Sequence, residues 1–329
     1  MASSLVRRGS ASLRVSPWAE EAAREFASNV LAPRTKAAYA LNWRTFKEWC
    51  EQNGFAYLPA PPEVVCLFLA ARAKAGIRPT SLALALAAIS RAHQAAKVDS
   101  PTGSLEVRTM LAGIRRTVGA KPSRKAPLIA ETLRTIVENL NVQTGLAALR
   151  DRALLLVGFA AALRREELVA LTVRDVEFTP EGMWIVIRSS KTDQAGQGER
   201  LAIVKEADPS ICPVEALRTW LEATRTTSGP LFRRISRAGQ VGKKALTGRS
   251  VALIVKKHVG VDGLDPARFA GHSLRAGFAT SAARAGHSEL LIADQTRHRN
   301  MDILRGYVRE ANAFQKNAGK GLLSRRGRA

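Results

Sequence analysis

The sequence has few cysteines and no long apolar stretch. Its three cysteines, Cys50, Cys66 and Cys212, lie far apart in the 329-residue chain and form no Cys-x-x-Cys pair. This spacing disfavours a disulfide framework and a structural zinc site, and it is typical of a reducing compartment. The longest apolar run covers residues 153–163, which is well short of the roughly 20 residues that a membrane helix needs. No membrane span is predicted.

Acidic residues are also scarce. The chain has 28 Asp and Glu against 51 Lys and Arg, which gives a net charge of +23. The charge is +11 before residue 126 and +12 from there on. This balance excludes an ordinary neutral or acidic enzyme and indicates a polyanionic partner. Because both halves of the chain are basic, we expect both to bind that partner. A hydrophobic fraction of 46% is that of a folded protein rather than a basic tail.

The length predicts two domains, each with its own core. Residues 119–127 contain two prolines, a glycine and three cations, a composition that opposes helix and suits an exposed linker. We therefore expect a helical domain at 17–118 and a second domain at 128–329. Residues 1–16 are predicted to form a flexible basic arm that can touch phosphates. An organelle transit peptide is the alternative for this arm, which lacks the apolar core of a secretory signal.

Apolar residues in the first domain recur every three or four positions, which predicts a bundle of about four helices. A fifth helix is expected if Pro17–Asn29 is also helical. His93 ends one of these stripes, and we interpret it as a packed histidine rather than a ligand. The stripes are Tyr39, Trp43, Phe46 and Cys50; Val64 to Ala71; Leu82, Leu86, Ile89 and His93; and Val107, Leu111, Ile114 and Val118.

The second domain has mixed patterns and is predicted to be α+β, mostly helical around a small antiparallel sheet. Dense β-branched and aromatic residues predict strands at 183–188 and 201–204. Helical patterns occupy 132–140, 149–163, a segment beginning at Arg164, 214–224, 250–259, 272–285, 289–296 and 313–323.

Two pairs of polar residues are spaced to lie on one face of a helix. Arg164 and Glu167 are three residues apart, so that the carboxylate can orient the guanidinium. His272 and Arg275 have the same spacing at a predicted helix start, where backbone N–H groups favour an anion. Taken alone, the first pair is also typical of a surface ion pair, and the second of a capped helix with ordinary polar residues.

Three further residues carry reactive groups. Lys191 follows a predicted strand and projects from a turn, where a lysine is usually only a solvated charge. His298 and Tyr307 lie nine residues apart in an arginine-rich stretch. A buried or interfacial aromatic side chain is the alternative interpretation of Tyr307.

Together these residues supply what phosphoryl transfer to a protein side chain requires. Arg164 and Arg275 can bind the non-bridging oxygens, where negative charge accumulates in the transition state. Tyr307 offers a nucleophilic oxygen, and Lys191 offers a proton for the departing sugar oxygen. Imidazoles, with a pKa near neutrality, can contact the phosphate or move protons. The two that fit this part are His272 and His298.

Four motifs, in their order along the chain, resemble those of the tyrosine recombinase, or phage integrase, family. The layout of the chain is most similar to that of the Cre-like simple recombinases in this family. The resemblance implies a helical, SAM-like core-binding domain and an α+β catalytic domain that close as a C-shaped clamp around double-stranded DNA. It also implies a homotetramer on two recombination sites, with the last helix on a neighbouring protomer; packing of that helix in cis stays open. The motifs are ALRREEL (162–168), SKT (190–192), HSLR (272–275) and RHRNMDILRGY (297–307).

The resemblance assigns roles to seven residues. It implies that Arg164 and Arg275 clamp the phosphate, and that Tyr307 is the nucleophile that becomes joined to a DNA 3′-phosphate. Lys191 is implied as the general acid, and His272 as a phosphate contact and proton acceptor. His298 is implied as a further phosphate contact, and Glu167 as the carboxylate that orients these groups. It implies no metal and no other cofactor, because the phosphotyrosine bond stores the energy of the broken phosphodiester.

Three places depart from the family pattern. None of them removes a reacting group, so they bear on the target or partners more than on activity. Ala162 stands where a glycine usually precedes Leu-Arg, Ala276-Gly277 replace the common His-Thr after Arg275, and Thr296-Arg297 replace the frequent Leu-Gly before His298.

Two other functions use similar residues. A type IB topoisomerase or a telomere resolvase can act on duplex DNA with a similar set of catalytic residues. A non-catalytic DNA-binding protein could keep the motifs without catalysing the reaction. The resemblance implies a bacterial or phage protein that works in the cytoplasm with the nucleoid, and no membrane partner.

Overall fold

The computed structural model describes residues 18–19, 21–22, 25, 31–119, 125–188, 198–298, 300–314, 317–319 and 322. The chain divides between residues 123 and 124 into an N-terminal unit and a C-terminal unit. The basic arm predicted at 1–16 lies outside the described residues. Within the described ranges, none of the helices combines the length and apolar character needed to cross a bilayer.

The described part of the N-terminal unit contains four long helices, as the apolar stripes predict. The first three begin with proline. Proline suits this position because an N–H at the start of a helix has no intrahelical partner, so its absence costs no hydrogen bond. The fourth is capped by Ser104, whose hydroxyl accepts a hydrogen bond from the N–H of Val107 at 3.3 Å. The described residues between 18 and 25 are also helical, as the fifth-helix alternative expects. The helices are α1 (Pro33–Gln52), α2 (Pro62–Lys74), α3 (Pro79–Ala95) and α4 (Leu105–Val118).

The core of this unit is built from the predicted stripes. Phe46 of α1 packs edge-on against Phe68 of α2, with ring centroids 5.1 Å apart, and both side chains are buried. His93 is buried as well, and its Nε2 accepts a hydrogen bond from the N–H of Ala60 at 2.9 Å. Its Nδ1 lies 2.9 Å from the carbonyl of Ile89, so Nδ1 carries the proton and donates. The interpretation of His93 as a packed histidine is confirmed.

The C-terminal unit is mostly helical with two small antiparallel sheets, which confirms the predicted fold class. The strand β2 lies in the middle of a three-stranded sheet of order β1-β2-β3. Its helices are α5 (Ala130–Asn141), α6 (Leu146–Ala160), α7 (Arg165–Ala170), α8 (Pro213–Ala223), α9 (Gly248–Val261), α10 (Ser273–Arg284), α11 (Glu289–Thr296) and α12 (Met301–Ala311). Its strands are β1 (Val176–Phe178), β2 (Gly182–Ile187), β3 (Glu199–Val204), β4 (Arg233–Ile235) and β5 (Val241–Ala245).

The structure corrects the sequence prediction at three places in this unit, the first of which is β1, a strand that the patterns do not predict. The sequence patterns do not predict the hairpin of β4 and β5, because its short strands are rich in charge and show no clear alternation. The helix predicted over 313–323 is wrong for the described residues after Ala311, which form turns, bends or irregular backbone. The amphipathic helix of this region is instead α12, whose buried side is formed around Leu304.

The first described residues of the C-terminal unit lie against α10. The N–H of Leu128 donates to the carbonyl of Ser273 at 2.8 Å, and the N–H of Ala130 donates to the hydroxyl of Ser281 at 2.9 Å. A Cβ atom added to Gly277 would lie 1.7 Å from the carbonyl oxygen of Leu128. Glycine is therefore required at position 277, which gives a physical reason for one departure from the family pattern.

We expect Gly277→Ala to destabilise the C-terminal unit by about 1–3 kcal/mol or more, because the added methyl group overpacks a backbone contact. The measurement is urea-induced unfolding, and Gly113→Ala is the control. A Cβ added to Gly113, on α4, meets no atom within 4 Å, so that change is expected to stabilise its helix by about 0.5–1 kcal/mol. An unchanged unfolding midpoint for Gly277→Ala would contradict the close approach.

Candidate active site

A tight turn at the end of α6 brings Arg164 to the site. The N–H of Ala162 donates to the carbonyl of Phe159 at 2.8 Å, and the N–H of Leu163 donates to that of Gly158 at 3.1 Å. This is the Schellman pattern, which needs a left-handed residue after the helix. Ala162 has φ 46°, a conformation that costs a residue other than glycine roughly 1–2 kcal/mol. The alanine found in place of the usual glycine therefore keeps the turn at the expense of strain.

Glu167 lies one helical turn later, on α7, and holds Arg164. Arg164 Nη1 donates to Glu167 Oε1 at 2.6 Å, and the backbone N–H of Arg164 donates to Oε2 at 2.9 Å. The two side chains are 17% and 4% exposed. The arrangement is a partly buried, charge-assisted pair rather than a solvated surface ion pair.

Arg275 is buried on α10 and joins the same turn from the other side. Its Nη1 donates to the carbonyl of Ala162 at 2.9 Å. Burial lowers the pKa of Arg275 to about 9, and repulsion from Arg164 and Arg297 acts in the same direction. Three guanidiniums therefore lie close enough to oppose one another's charge, which makes this region favourable for an anion.

A second tight turn, at the end of α11, brings His298 to the site. The N–H of Arg297 donates to the carbonyl of Asp294, and the N–H of His298 donates to that of Ala293, both at 3.2 Å. Arg297 takes the left-handed position with φ 56° and ψ 48°. As at Ala162, the position of the Schellman turn that requires a positive φ is occupied by a residue other than glycine. The family's frequent glycine is thus replaced by a buried arginine.

Thr296 fixes the tautomer of His298. The buried hydroxyl of Thr296 donates to the carbonyl of Ile292 at 2.5 Å and lies 2.6 Å from His298 Nδ1. Because the hydroxyl has one proton, Nδ1 carries the ring proton and donates to Oγ1. The neutral ring then has its lone pair on Nε2. The ring centroids of His298 and Tyr307 are 6.3 Å apart.

The remaining three predicted residues differ in location and exposure. His272 precedes α10 and is exposed, but neighbouring groups desolvate its ring. This desolvation lowers the pKa of His272, with further lowering by Arg165 and Arg275. Lys191 lies between β2 and β3, outside the described residues. Tyr307 is half-buried on α12, and its ring lies beside that of His298.

Six of the seven predicted residues therefore lie in one region of the C-terminal unit. Sequence reasoning gave no role to Arg297 or Thr296, which contact Glu167 and His298 directly. A signal for both was present, since they are the two residues that replace Leu-Gly before His298. No group of three His, Cys, Asp or Glu side chains suited to a metal ion occurs in the described ranges.

Comparison with known proteins identifies the family. The model of the phage integrase family matches residues 128–313. The chain belongs to the phage integrase family. Its members are tyrosine recombinases, which cleave and rejoin DNA strands. An integrase/recombinase xerD homolog of Selenomonas ruminantium is 41% identical over 293 residues, covering 87% of this chain and 84% of the relative. The Cre recombinase of Escherichia phage P1 is 25% identical, with 82% of each chain covered.

Solved structures of tyrosine recombinases share the fold. The XerH site-specific recombinase bound to its palindromic difH substrate has a TM-score of 0.62 at 18% identity, covering 85% of this chain and 79% of that one. A lambda integrase dimer bound to a COC′ core site has a TM-score of 0.57 at 16% identity, covering 88% and 94%. The family model and the 41% identical relative thus confirm the resemblance of the sequence to this family, and the solved structures confirm the fold.

We expect the ring of His298 to titrate near pH 4 in the DNA-free recombinase. Burial lowers its pKa to about 4, and the guanidiniums of Arg275, Arg164 and Arg297 contribute to this lowering. The unfolded chain, with an ordinary pKa of about 6.5, takes up a proton between these values that the folded chain does not. The free energy of unfolding therefore falls as the pH is lowered from 6.5 to 4.

The measurement is an NMR titration of the histidine rings, with His298→Asn to assign the signal. Urea unfolding across the same interval is expected to lose less stability in His298→Asn than in the unaltered protein. A His298 midpoint of about 6 or above would contradict the electrostatic description of the site.

Proposed function

We propose that this tyrosine recombinase cuts double-stranded DNA at specific sites through Tyr307 and rejoins the strands to new partners. The observation that carries the proposal is the cluster formed by Arg164, Arg275, His298 and Tyr307 beside one buried carboxylate. A phosphodiester is the anion that matches these groups in charge and chemistry, because it offers two non-bridging oxygens and a bond that a phenol oxygen can break.

In this proposal Arg164 and Arg275 bind the non-bridging oxygens. Negative charge grows on these oxygens in the transition state, so donors already in place lower the barrier. The bound phosphate also offsets the repulsion among the guanidiniums and raises the pKa of His298. In its protonated form the ring keeps its bond to Thr296 through Nδ1 and donates to the phosphate from Nε2. We assign to His272, which is exposed near the same arginines, a contact with the phosphate and the role of proton acceptor.

The covalent step exchanges one ester for another. The oxygen of Tyr307 attacks phosphorus, the bond to the 5′ oxygen breaks, and the DNA 3′-phosphate becomes joined to the tyrosine. The phenol proton passes to His272, and Lys191 gives a proton to the departing 5′ oxygen. Attack by another strand's 5′-hydroxyl reverses the exchange. The step needs no external energy source because the number of phosphoester bonds is conserved.

The assembly is proposed from the relatives. XerH is described in complex with a palindromic recombination site and lambda integrase as a dimer on a core site. A palindromic site has two equivalent halves, so it calls for at least two protomers. We propose that two such sites are brought together by a homotetramer of this chain, in the cytoplasm of a bacterium where the DNA resides. The charge of +23 supplies the phosphate contacts for this duplex binding.

Tyr307→Phe is expected to bind duplex DNA like the unaltered protein and to form no covalent adduct. The substitution removes one phenol oxygen and keeps the ring. The target is first found by mapping covalent protein–DNA junctions on genomic DNA. A nicked suicide duplex with that site is then incubated with protein and run on a denaturing gel, and the adduct peptide is mapped.

Tyr39→Phe is the matched control, because it removes the same oxygen from α1 in the N-terminal unit. Its adduct yield is expected to equal that of the unaltered protein. An adduct that persists in Tyr307→Phe, or that is joined to a 5′-phosphate, would contradict the assigned nucleophile. Exchange of flanking DNA between two sites separates a recombinase from a topoisomerase or a telomere resolvase.

Lys191→Ala is expected to slow cleavage by about 10²- to 10⁴-fold with little effect on binding, because it removes a proton donor that acts in the transition state. A duplex with sulfur in place of the 5′ bridging oxygen is expected to restore the rate, since a thiolate leaves without a proton. Arg164→Ala, which removes a phosphate ligand, is the control and gains no such rescue. Failure of the sulfur substrate to rescue Lys191→Ala would assign the proton to another group.

A further inference from the structure

Arg297 occupies a backbone position that disfavours it. Its φ of 56° and ψ of 48° are left-handed, and the cost for a residue with a Cβ is roughly 1–2 kcal/mol. Its side chain is nevertheless only 3% exposed, although a long cation loses hydration when it is buried. An unfavourable backbone and an unfavourable burial coincide at one residue, so its contacts must compensate for both.

These contacts are made inside the protein. Arg297 Nη2 donates to Glu167 Oε2 at 2.7 Å, and Nη1 donates to the carbonyl of Ala161 at a longer 3.4 Å. Its Nε lies 3.4 Å from Glu199 Oε2 but makes no hydrogen bond to any atom in the described part of the chain. The guanidinium is thus directed at one buried carboxylate, at the turn that follows α6 and at the first residue of β3.

Glu167 is therefore shared between two arginines. One oxygen, Oε1, binds Arg164 at 2.6 Å, and the other, Oε2, binds Arg297 at 2.7 Å. Without Arg297, Oε2 would keep only its hydrogen bond from the backbone N–H of Arg164, and the charge of the carboxylate would act on the Arg164 guanidinium alone, which would neutralise that cation more fully. With Arg297 present, the carboxylate is held in one orientation and part of its charge is balanced elsewhere. Arg164 then keeps both a fixed direction and positive charge for an anion.

We infer that Arg297 is a positioning residue for DNA strand cleavage, which holds Glu167 and through it the phosphate-binding guanidinium of Arg164. The inference rests on the proposed function of Arg164. We assign Arg297 no contact with the phosphate, since its Nη atoms donate to Glu167 and to the carbonyl of Ala161. The replacement of the family's frequent glycine by Arg297 therefore adds an ion pair beneath the phosphate clamp.

The test measures single-turnover cleavage of the nicked suicide duplex at saturating DNA. Arg297→Gly removes the guanidinium and supplies the residue that suits the turn. It is expected to slow cleavage by about 10- to 100-fold, as misplacement of a catalytic group does, while the affinity for the duplex changes less than about threefold. In a Glu167→Gln background the same substitution is expected to slow cleavage by less than about threefold, because Arg297 acts through Glu167. Methylguanidinium at constant ionic strength is expected to restore part of the rate.

Arg225→Gly is the matched control. Arg225 also has a left-handed backbone, with φ 48°, in a Schellman turn after α8, but its side chain does not belong to the cluster around Glu167. Its substitution is expected to leave cleavage unchanged and insensitive to methylguanidinium. Arg297→Lys, which keeps a buried cation, is the second variant if glycine impairs folding. The same non-additivity with Glu167→Gln is expected for it.

Three results would overturn the inference. These are cleavage by Arg297→Gly within about twofold of the unaltered protein, effects of the Arg297 and Glu167 substitutions that simply multiply, and a rate that methylguanidinium leaves unchanged. The outcome is separable from that of the proposed function. If the unaltered protein forms no adduct, the function fails; if it cleaves and Arg297→Gly cleaves equally well, only the role of Arg297 fails.

Discussion

Three guanidiniums lie close together in the C-terminal unit, and the carboxylate of Glu167 lies between two of them. Mutual repulsion contributes to the lowered pKa of Arg275, so the cations would separate if nothing held them. Glu167 opposes that separation with bonds of 2.6 and 2.7 Å to Arg164 and Arg297. A buried carboxylate that lost these partners would itself be costly. The cations and the anion therefore depend on each other, and the site keeps a net positive charge that a phosphate can complete.

Two helix ends shape this site through the same backbone device. The turns after α6 and α11 each place a left-handed residue, Ala162 or Arg297, immediately before the segment that enters the site. Local strain of this kind persists only where surrounding contacts determine the backbone. At Ala162 the contact is the hydrogen bond from Arg275, and at Arg297 it is the ion pair with Glu167. The strained turns and the charged cluster thus stabilise each other.

The sequence predicts most of the helices and two of the three strands of the main sheet, because apolar patterns survive in them. It also selects the site residues, since their types and order resemble a family. It does not reveal that Arg297 is buried, because one more arginine in a basic stretch has no distinguishing local pattern; only the closure of the α11 turn onto Glu167 determines its surroundings. The prediction also omits α12, although Asn300 caps its start, Leu304 is buried on it and its apolar residues share one side of the helix.

The contact of Leu128 with α10 has a mechanical consequence. The N–H of Leu128 is bonded to the carbonyl of Ser273, two residues before Arg275 on the same helix. The absence of a side chain at Gly277 lets the two backbones touch. Tension applied to the chain that enters the C-terminal unit therefore acts on Arg268, through the N–H of Ala126, and on the first turn of α10, through the N–H of Leu128. The entering chain and Arg275, which we propose to bind the phosphate, are joined by one hydrogen bond and two residues of α10.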